Sequence, residues 1–368
     1  MRFWAKPGQP ARPATMSFAP TDLDAIQVAG FDTVIDVRSS AEFAEDHLPG
    51  AINLPVLNNE ERARIGTIYV QESAFLARKL GAALVARNAA RHIEGPLSHH
   101  DGGWRPLVYC WRGGQRSGSF ASILAQIGWR VEVLKGGYQS YRKLVKATLY
   151  DQPFPCPVVL LDGYTGTAKT SILVEAARQG AQVIDLEGLA NHRGSLFGAM
   201  GKQPAQKGFE SALADIVRTL DPARPVLIEA ESSKVGERVV PPSLWSAMRA
   251  APRIEVVAPL DARAAYLAEA YADITAAPER LDSVLTSMTQ LQGHETIAVW
   301  RDLAQEGKFE ELASNLMTYH YDPRYARQST RAASQPVETL HADTLNDESI
   351  RRLASQVIAA MGRVTGPV

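Results

Sequence analysis

The chain has 368 residues, 45% of them hydrophobic and 21% charged, with a formal net charge of −1. That length provides for two or three domains with sizeable cores in a soluble globular protein, and the near-neutral balance excludes a generally basic polyanion binder, so nucleic-acid contact must come from a local patch. Two cysteines, Cys110 and Cys156, exclude a disulfide scaffold or a cysteine-rich zinc site and fit a reducing cytoplasm, and no apolar run approaches the roughly 18 residues of a membrane span.

Met1 to Pro13 carries basic residues and prolines without the apolar stretch of a signal peptide. Residues 1–15 therefore read as a disordered leader, with Met16 as an alternative start. Asp22 to Ala29 predicts a short helix capped by Thr21 or Asp22. Phe31 to Val37, β-rich from Thr33 onward, predicts a strand that ends in Asp36-Val37-Arg38. Ser40 to Pro55 predicts a capped helical turn, a Pro-Gly turn and a short strand, and Leu76 to Ala90 predicts a helix. His99, His100 and Asp101 lie among glycines without a spaced partner, so they read as solvated loop rather than a metal site.

Pro106 to Tyr109 is short, apolar and β-prone, and Phe120 to Gly128 has helical spacing. Between them lies Cys110-Trp111-Arg112-Gly113-Gly114-Gln115-Arg116-Ser117, which puts Cys110 where a strand opens into a loop and a helix begins. Loop N–H groups, the positive end of the helix dipole, Arg112 and Arg116 would all favour a thiolate there. A core cysteine needs neither the glycines nor the arginines. Val131 to Tyr138 predicts a last strand and a Gly136-Gly137 turn, completing an α/β domain over 16–148 on a mostly parallel sheet.

From Arg105 to Lys146 there are eight basic side chains and one acid, Glu132. Arg130, Lys135, Arg142 and Lys143 belong to this run, with Trp111, Tyr138 and Tyr141 among them. Such a surface suits a polynucleotide presenting a target base, and equally a solvated helix face; charge alone does not choose.

Asp36-Val37-Arg38, the Glu42-Phe43 to His47-Leu48-Pro49-Gly50-Ala51-Ile52-Asn53 run, the cysteine loop and Leu134-Lys135-Gly136-Gly137 together resemble a rhodanese-type sulfurtransferase domain. In that family the loop cysteine carries a transferable sulfur or heavier chalcogen. The loop reads Cys-x5-Arg, one residue longer than the common sulfurtransferase loop. That is also the pattern of cysteine-dependent phosphatases, so loop length leaves the electrophile open.

Residues 149–157 form a proline-rich linker, and Cys156 sits between its prolines as an incidental thiol. Val158 to Asp162 predicts a buried strand. It feeds Gly163-Tyr164-Thr165-Gly166-Thr167-Ala168-Lys169-Thr170 and then a helix, which is the P-loop arrangement. Gly163, Thr165, Gly166, Lys169 and Thr170 would cradle a di- or triphosphate, and Thr170 would hold Mg2+ as a cofactor. Ala168 stands where the usual pattern has glycine, at a cost if the backbone there needs positive φ. Gln182 to Leu186 predicts a second strand, followed by a glycine-rich loop bearing Asn191, His192 and Arg193. Phe209 to Leu220 predicts a helix. Val226 to Gly236 predicts a buried strand bearing Glu229, Glu231 and Ser232, and its carboxylates lie where a P-loop fold puts its metal- or water-positioning acid. The P-loop domain spans 158–262, and a helical region, 263–368, closes the chain.

The rhodanese-like and P-loop pairing, Asp185 to Ser195, Glu229-Ala230-Glu231-Ser232 and His320-Tyr321-Asp322-Pro323 resemble the tRNA 2-selenouridine synthase family over about Thr21 to Arg327. The resemblance implies a cytoplasmic transferase acting on tRNA that carries wobble-position 2-thiouridine. Selenium from selenophosphate would replace sulfur by way of an S-geranyl intermediate made with geranyl diphosphate. It implies Cys110, Arg112 and Arg116 as catalytic groups and the P-loop as the diphosphate cradle. Asn191, His192, Arg193, Glu229, Glu231 and Ser232 would meet substrate, Arg130, Lys135, Arg142 and Lys143 would meet tRNA, and the enzyme that makes selenophosphate would be a transient partner. The alternative is a P-loop kinase or ATPase with a sulfurtransferase or phosphatase domain.

Overall fold

The computed structural model describes residues 16–195, 197–198, 200–329 and 336–364. The leader expected over 1–15 lies outside the described residues. The chain divides into two compact units, one running to Asp151 and taking in Ala205–Arg218, the other holding the remainder. The helix Gln206–Thr219, which the sequence alone places in the P-loop domain, thus packs almost wholly with the first unit.

In the first unit β1 (Met16–Phe18), β2 (Thr33–Asp36), β3 (Ile52–Asn53), β4 (Pro106–Tyr109) and β5 (Glu132–Leu134) form a parallel sheet in the order β1-β5-β4-β2-β3. All four residues of β4 are buried, as a central parallel strand requires. Its core joins Ile35, Val37, Val108, Phe120, Leu124 and Trp129. The edge strand β1 was not foreseen, because three residues with one neighbour leave no apolar run. The expected first helix forms as Leu23–Val28, with the Asp22 carboxylate accepting from the Ala25 N–H at 2.7 Å. His100 lies flat on Trp104, ring centroids 3.9 Å apart, which gives that imidazole a packing role.

One buried polar network braces this unit. Arg38, 1% exposed, pairs with Asp36, donates to the Asp46 carbonyl at 2.6 Å, and lies 3.9 Å from the Tyr138 ring centroid. Tyr138 and Ser211 both donate to the Asp46 carboxylate, at 2.7 and 2.9 Å. Arg142 closes the network: it pairs with Glu210 and lies 3.6 Å from Asp46. Arg142 is therefore not the exposed tRNA contact expected of it; its charge answers two buried carboxylates. Replacing it with alanine leaves both uncompensated and should cost about 3 kcal/mol in chemical denaturation. Lys143→Ala, at an exposed position on the same helix, should leave the midpoint unchanged.

The second unit has its own parallel sheet, β12-β11-β6-β8-β7. Its strands are β6 (Val158–Asp162), β7 (Gln182–Ile184), β8 (Val226–Glu229), β11 (Arg253–Val257) and β12 (Glu338–His341); a small hairpin of β9 (Lys234–Val235) and β10 (Arg238–Val239) stands apart. The strand that feeds the phosphate loop, β6, is central and buried at every position. The region expected to be wholly helical contributes β12. Its alternating Glu-Thr-Leu-His at a sheet edge carries no strong apolar signal, hence the miss. The closing helix Asp347–Val364 packs with the phosphate-loop helix Lys169–Arg178 over a core that includes Ile172, Leu173, Leu353 and Val357. A second cluster around Trp300, with Leu281, Leu285, Ile297 and Leu316, holds the intervening helices together. Among the described residues no helix is long and apolar enough to cross a membrane.

Candidate functional site

Cys110 follows the last residue of β4, at the carboxyl end of its sheet, where parallel α/β folds place their ligands. Gly113 has φ +64°, and a Cβ there would come within 2.7 Å of the Leu134 carbonyl oxygen. Gly137, at φ +59°, would clash with Cys110 and Gly113 backbone in the same way. The two glycines thus let the cysteine loop lie directly on the turn after β5. The N–H groups of Tyr138 and Gln139 donate to the carbonyls of Cys110 and Trp111 at 2.8 and 3.1 Å.

Cys110 Sγ accepts from the Gly114 N–H at 3.3 Å and from the Ser117 hydroxyl at 3.2 Å. Burial opposes the thiolate. The Ser117 hydroxyl and N–H, the Arg116 charge and the Gly114 N–H outweigh it, so the thiol pKa falls below its ordinary value. Arg116 does this while held by Glu42 at 3.0 Å, and Glu42 also binds Arg62. Arg112 is exposed, and the groups acting on Sγ do not include it. Burial raises the Cys156 thiol instead, which separates the two cysteines chemically. Lys135, Lys143 and Arg130 are exposed, and Arg130 also donates to the Gly103 carbonyl at 2.5 Å.

In the second unit the loop after β6 is pinned at its base. Asp162 accepts from the Gly163 N–H at 2.8 Å and the Tyr325 hydroxyl at 2.6 Å, and it pairs with Arg253. Arg263 holds the crown: it donates to the Thr165 carbonyl at 3.1 Å and grips Asp322 with two bonds of 3.0 and 2.8 Å. The His320 to Pro323 motif therefore acts through Asp322, as a brace on the phosphate loop. Ala168 has φ +59° and ψ 25°, the left-handed conformation that glycine takes at no cost. The glycine-lacking loop keeps the shape of a phosphate cradle, with roughly 1–2 kcal/mol of local strain.

Lys169 Nζ donates to the Gly163 and Tyr164 carbonyls at 2.7 and 3.3 Å. Thr170 Oγ1 donates to Glu187 at 3.3 Å. Glu187, Glu229 and Glu231 converge beside it, with oxygen atoms all within 4.8 Å of one another. Burial and mutual repulsion push Glu187 up to about 9 and Glu231 up to about 7, and burial raises Glu229 as well; Lys169 pulls all three down. Glu229 Oε1 is buried without a hydrogen-bond partner. Three acids, one of them with an orphaned oxygen, and a hydroxyl form an all-oxygen donor set that fits Mg2+.

Of the remaining expected site residues, Ser232 reaches this cluster through its backbone N–H, which donates to the Glu231 carboxylate. Asn191 caps the helix Leu186–Ala190 in a left-handed conformation and donates to the Lys202 carbonyl. His192 Nδ1 accepts from the Gly194 N–H at 3.0 Å, and Arg193 pairs with Asp273 over the Tyr271 ring. Ser232 is exposed and bonds within its own turn to Lys234. Asn191 and Ser232 are thus turn-forming residues.

Residues 19–144 match the family model described as a rhodanese-like domain, and residues 156–281 match that of the tRNA 2-selenouridine synthase AAA domain. A tRNA 2-selenouridine synthase of Psychromonas ingrahamii is 31% identical over 331 residues, covering 82% of this chain and 89% of that relative. The chain belongs to the tRNA 2-selenouridine synthase family. The Pseudomonas syringae pv. syringae synthase is 32% identical over 336 residues, 82% of this chain and 90% of the relative. The Shewanella loihica synthase is 35% identical over 242 residues, and there the match spans 64% of the relative's length. Within this synthase family chain, Ser117 and Glu187 are the functional residues that sequence reasoning missed. Ser117 lies in the first turn of the helix after the cysteine, a position a thiolate can use. Glu187 follows β7, and only the strand order brings it beside β8.

Proposed function

We propose that the protein replaces the sulfur of wobble-position 2-thiouridine in tRNA by selenium, in two stages served by its two loops. In the first, the thiouridine sulfur attacks C1 of geranyl diphosphate; the C1–O bond breaks, diphosphate leaves with the electron pair, and the base gives up its N3 proton. The phosphate loop binds the diphosphate, and Lys169 turns from the loop carbonyls to its oxygens. Thr170, Glu187, Glu229 and Glu231 would hold Mg2+, which would supply charge neutralisation to the leaving group. In the second stage the selenium of selenophosphate adds to C2, the C2–S bond breaks and geranyl thiol leaves with a proton from solvent, while the Cys110 thiolate takes the phosphoryl group as the P–Se bond breaks and water then releases it as phosphate. Exposed Lys135, Lys143 and Arg130 supply phosphate contacts for tRNA. The donor comes from a selenophosphate-producing enzyme met transiently, and such a substrate places the work in the cytoplasm.

The observation that carries this reading is the presence in one family member of a cysteine whose thiol pKa is lowered by its loop and a phosphate loop beside a cluster of three acids. The test is nucleoside mass spectrometry of a 2-thiouridine tRNA, first with geranyl diphosphate and then with selenophosphate added. Geranylated thiouridine that converts to selenouridine is the expected result. ATP hydrolysis without tRNA, and no change in nucleoside mass, would favour a P-loop kinase or ATPase instead.

A further inference from the structure

An apolar cavity opens beside the phosphate loop, with about 550 Å³ of empty space counting its mouth. Thr165 of the loop and Ser195 line it, and the rest of its wall is mainly hydrocarbon from Leu267, Ile274, Leu281 and Leu312. Ser195 and Tyr271 bond to each other at 3.1 Å, so their hydroxyls already have a partner. None of its described lining residues is charged or carries a side-chain amide. A nucleobase would find few groups there to read its edge, whereas a flexible hydrocarbon chain would lose only water.

Three of the lining residues have a second exposure. Thr275, Leu281 and Phe309 also line a separate cleft of about 930 Å³, whose other walls include Glu279, Asp282 and Arg301. They are the partition between the apolar cavity and a cleft that carries charged side chains among its walls. Leu281 is buried and Phe309 half-buried. A chain growing from the phosphate loop through the cavity meets this partition, and beyond it lies charge.

We propose that the cavity holds the hydrocarbon of an acyclic allylic diphosphate whose headgroup sits on the phosphate loop, and that Leu281 and Phe309 set the longest chain it accepts. This rests on the geranyl-transfer reading above and adds its hydrocarbon subsite and length stop. The cavity's position explains why a phosphate loop is paired with an apolar wall. The partition gives one place at which a longer chain would be stopped. One missing wall group in an apolar pocket changes selectivity by roughly tenfold or more.

The full chain is assayed for transfer from C10, C15 and C20 allylic diphosphates to 2-thiouridine tRNA, with Leu281→Ala and Phe309→Ala alongside. The wild type should prefer C10. Each variant should raise the C15-to-C10 ratio by about tenfold. An unchanged ratio with intact C10 transfer would overturn the length stop and leave the transferase reading standing. No transfer by the wild type from any chain would instead sink the reading on which it rests. A measurement on the unsubstituted protein covers the case in which the variants fail to fold. A geranyl diphosphate analogue with a photoreactive distal end should label peptides containing Leu281 or Phe309, and labelling confined to other peptides would refute the placement.

Discussion

Cys110→Ala is expected to abolish selenium incorporation, by at least about 10³-fold, while S-geranylation of the same tRNA continues. Mass spectrometry of digested tRNA reads both products from one reaction. The asymmetry follows from the chemistry assigned to each loop: the thiol takes no part in breaking the allylic C–O bond. Cys156→Ala should change neither product, because its thiol is buried and shifted upward. Ser117→Ala gives an intermediate case. It removes the hydroxyl 3.2 Å from Sγ, the largest of the groups favouring the thiolate. The thiol pKa is lowered in the native loop, so its thiolate persists to lower pH than a free cysteine's. Without Ser117 the alkylation profile with iodoacetamide should move to higher pH, and the rate at neutral pH should fall several-fold. Full selenium transfer by Cys110→Ala would remove the cysteine from the mechanism altogether.

The two loops differ in how far sequence alone could carry them. The cysteine loop is local: strand, glycines and helix start lie within a dozen residues, so its position and the depressed thiol follow from neighbours along the chain. Arg112 and Arg116 were legible as basic, but only the fold shows that Glu42 takes Arg116 while Arg112 faces solvent. Arg142 reads as one more positive charge in a basic run; its partners, Glu210 and Ser211, lie more than sixty residues away on a helix that joins the first unit from the middle of the second. The phosphate loop was equally plain from spacing. Of its acids, Glu229 and Glu231 were legible at the end of a buried strand, whereas Glu187 was not, because it meets Glu229 only when β7 and β8 pair in parallel. The apolar cavity joins the phosphate loop to helices well beyond it along the chain, and periodicity says only that each has a buried face.

Lys169→Ala is expected to lower geranyl transfer by about 10²–10³-fold, the scale seen when one preorganised donor to a developing anion is lost. Selenium transfer to tRNA already carrying S-geranylthiouridine should survive, which separates loss of the cradle from loss of tRNA binding. The acids beside it make a second, independent demand. In the metal-free protein Glu187 and Glu231 have pKa values raised from 4.5 to about 9 and about 7. A raised folded-state value means that these acids favour folding below about pH 4.5 and that this stability is lost as pH rises through the folded values. At neutral pH the cluster is therefore a cost that a bound cation relieves. Mg2+ at about 100 times its dissociation constant should stabilise the second unit by about 2.7 kcal/mol, a rise of several degrees in Tm. Glu229→Gln removes a carboxyl ligand from the buried cluster, so it should leave the metal-free protein at least as stable and largely cancel the Mg2+-dependent rise. A Mg2+ response unchanged by that substitution would mean that the three acids do not hold the metal, and that the phosphate loop neutralises its diphosphate through Lys169 and backbone N–H groups alone.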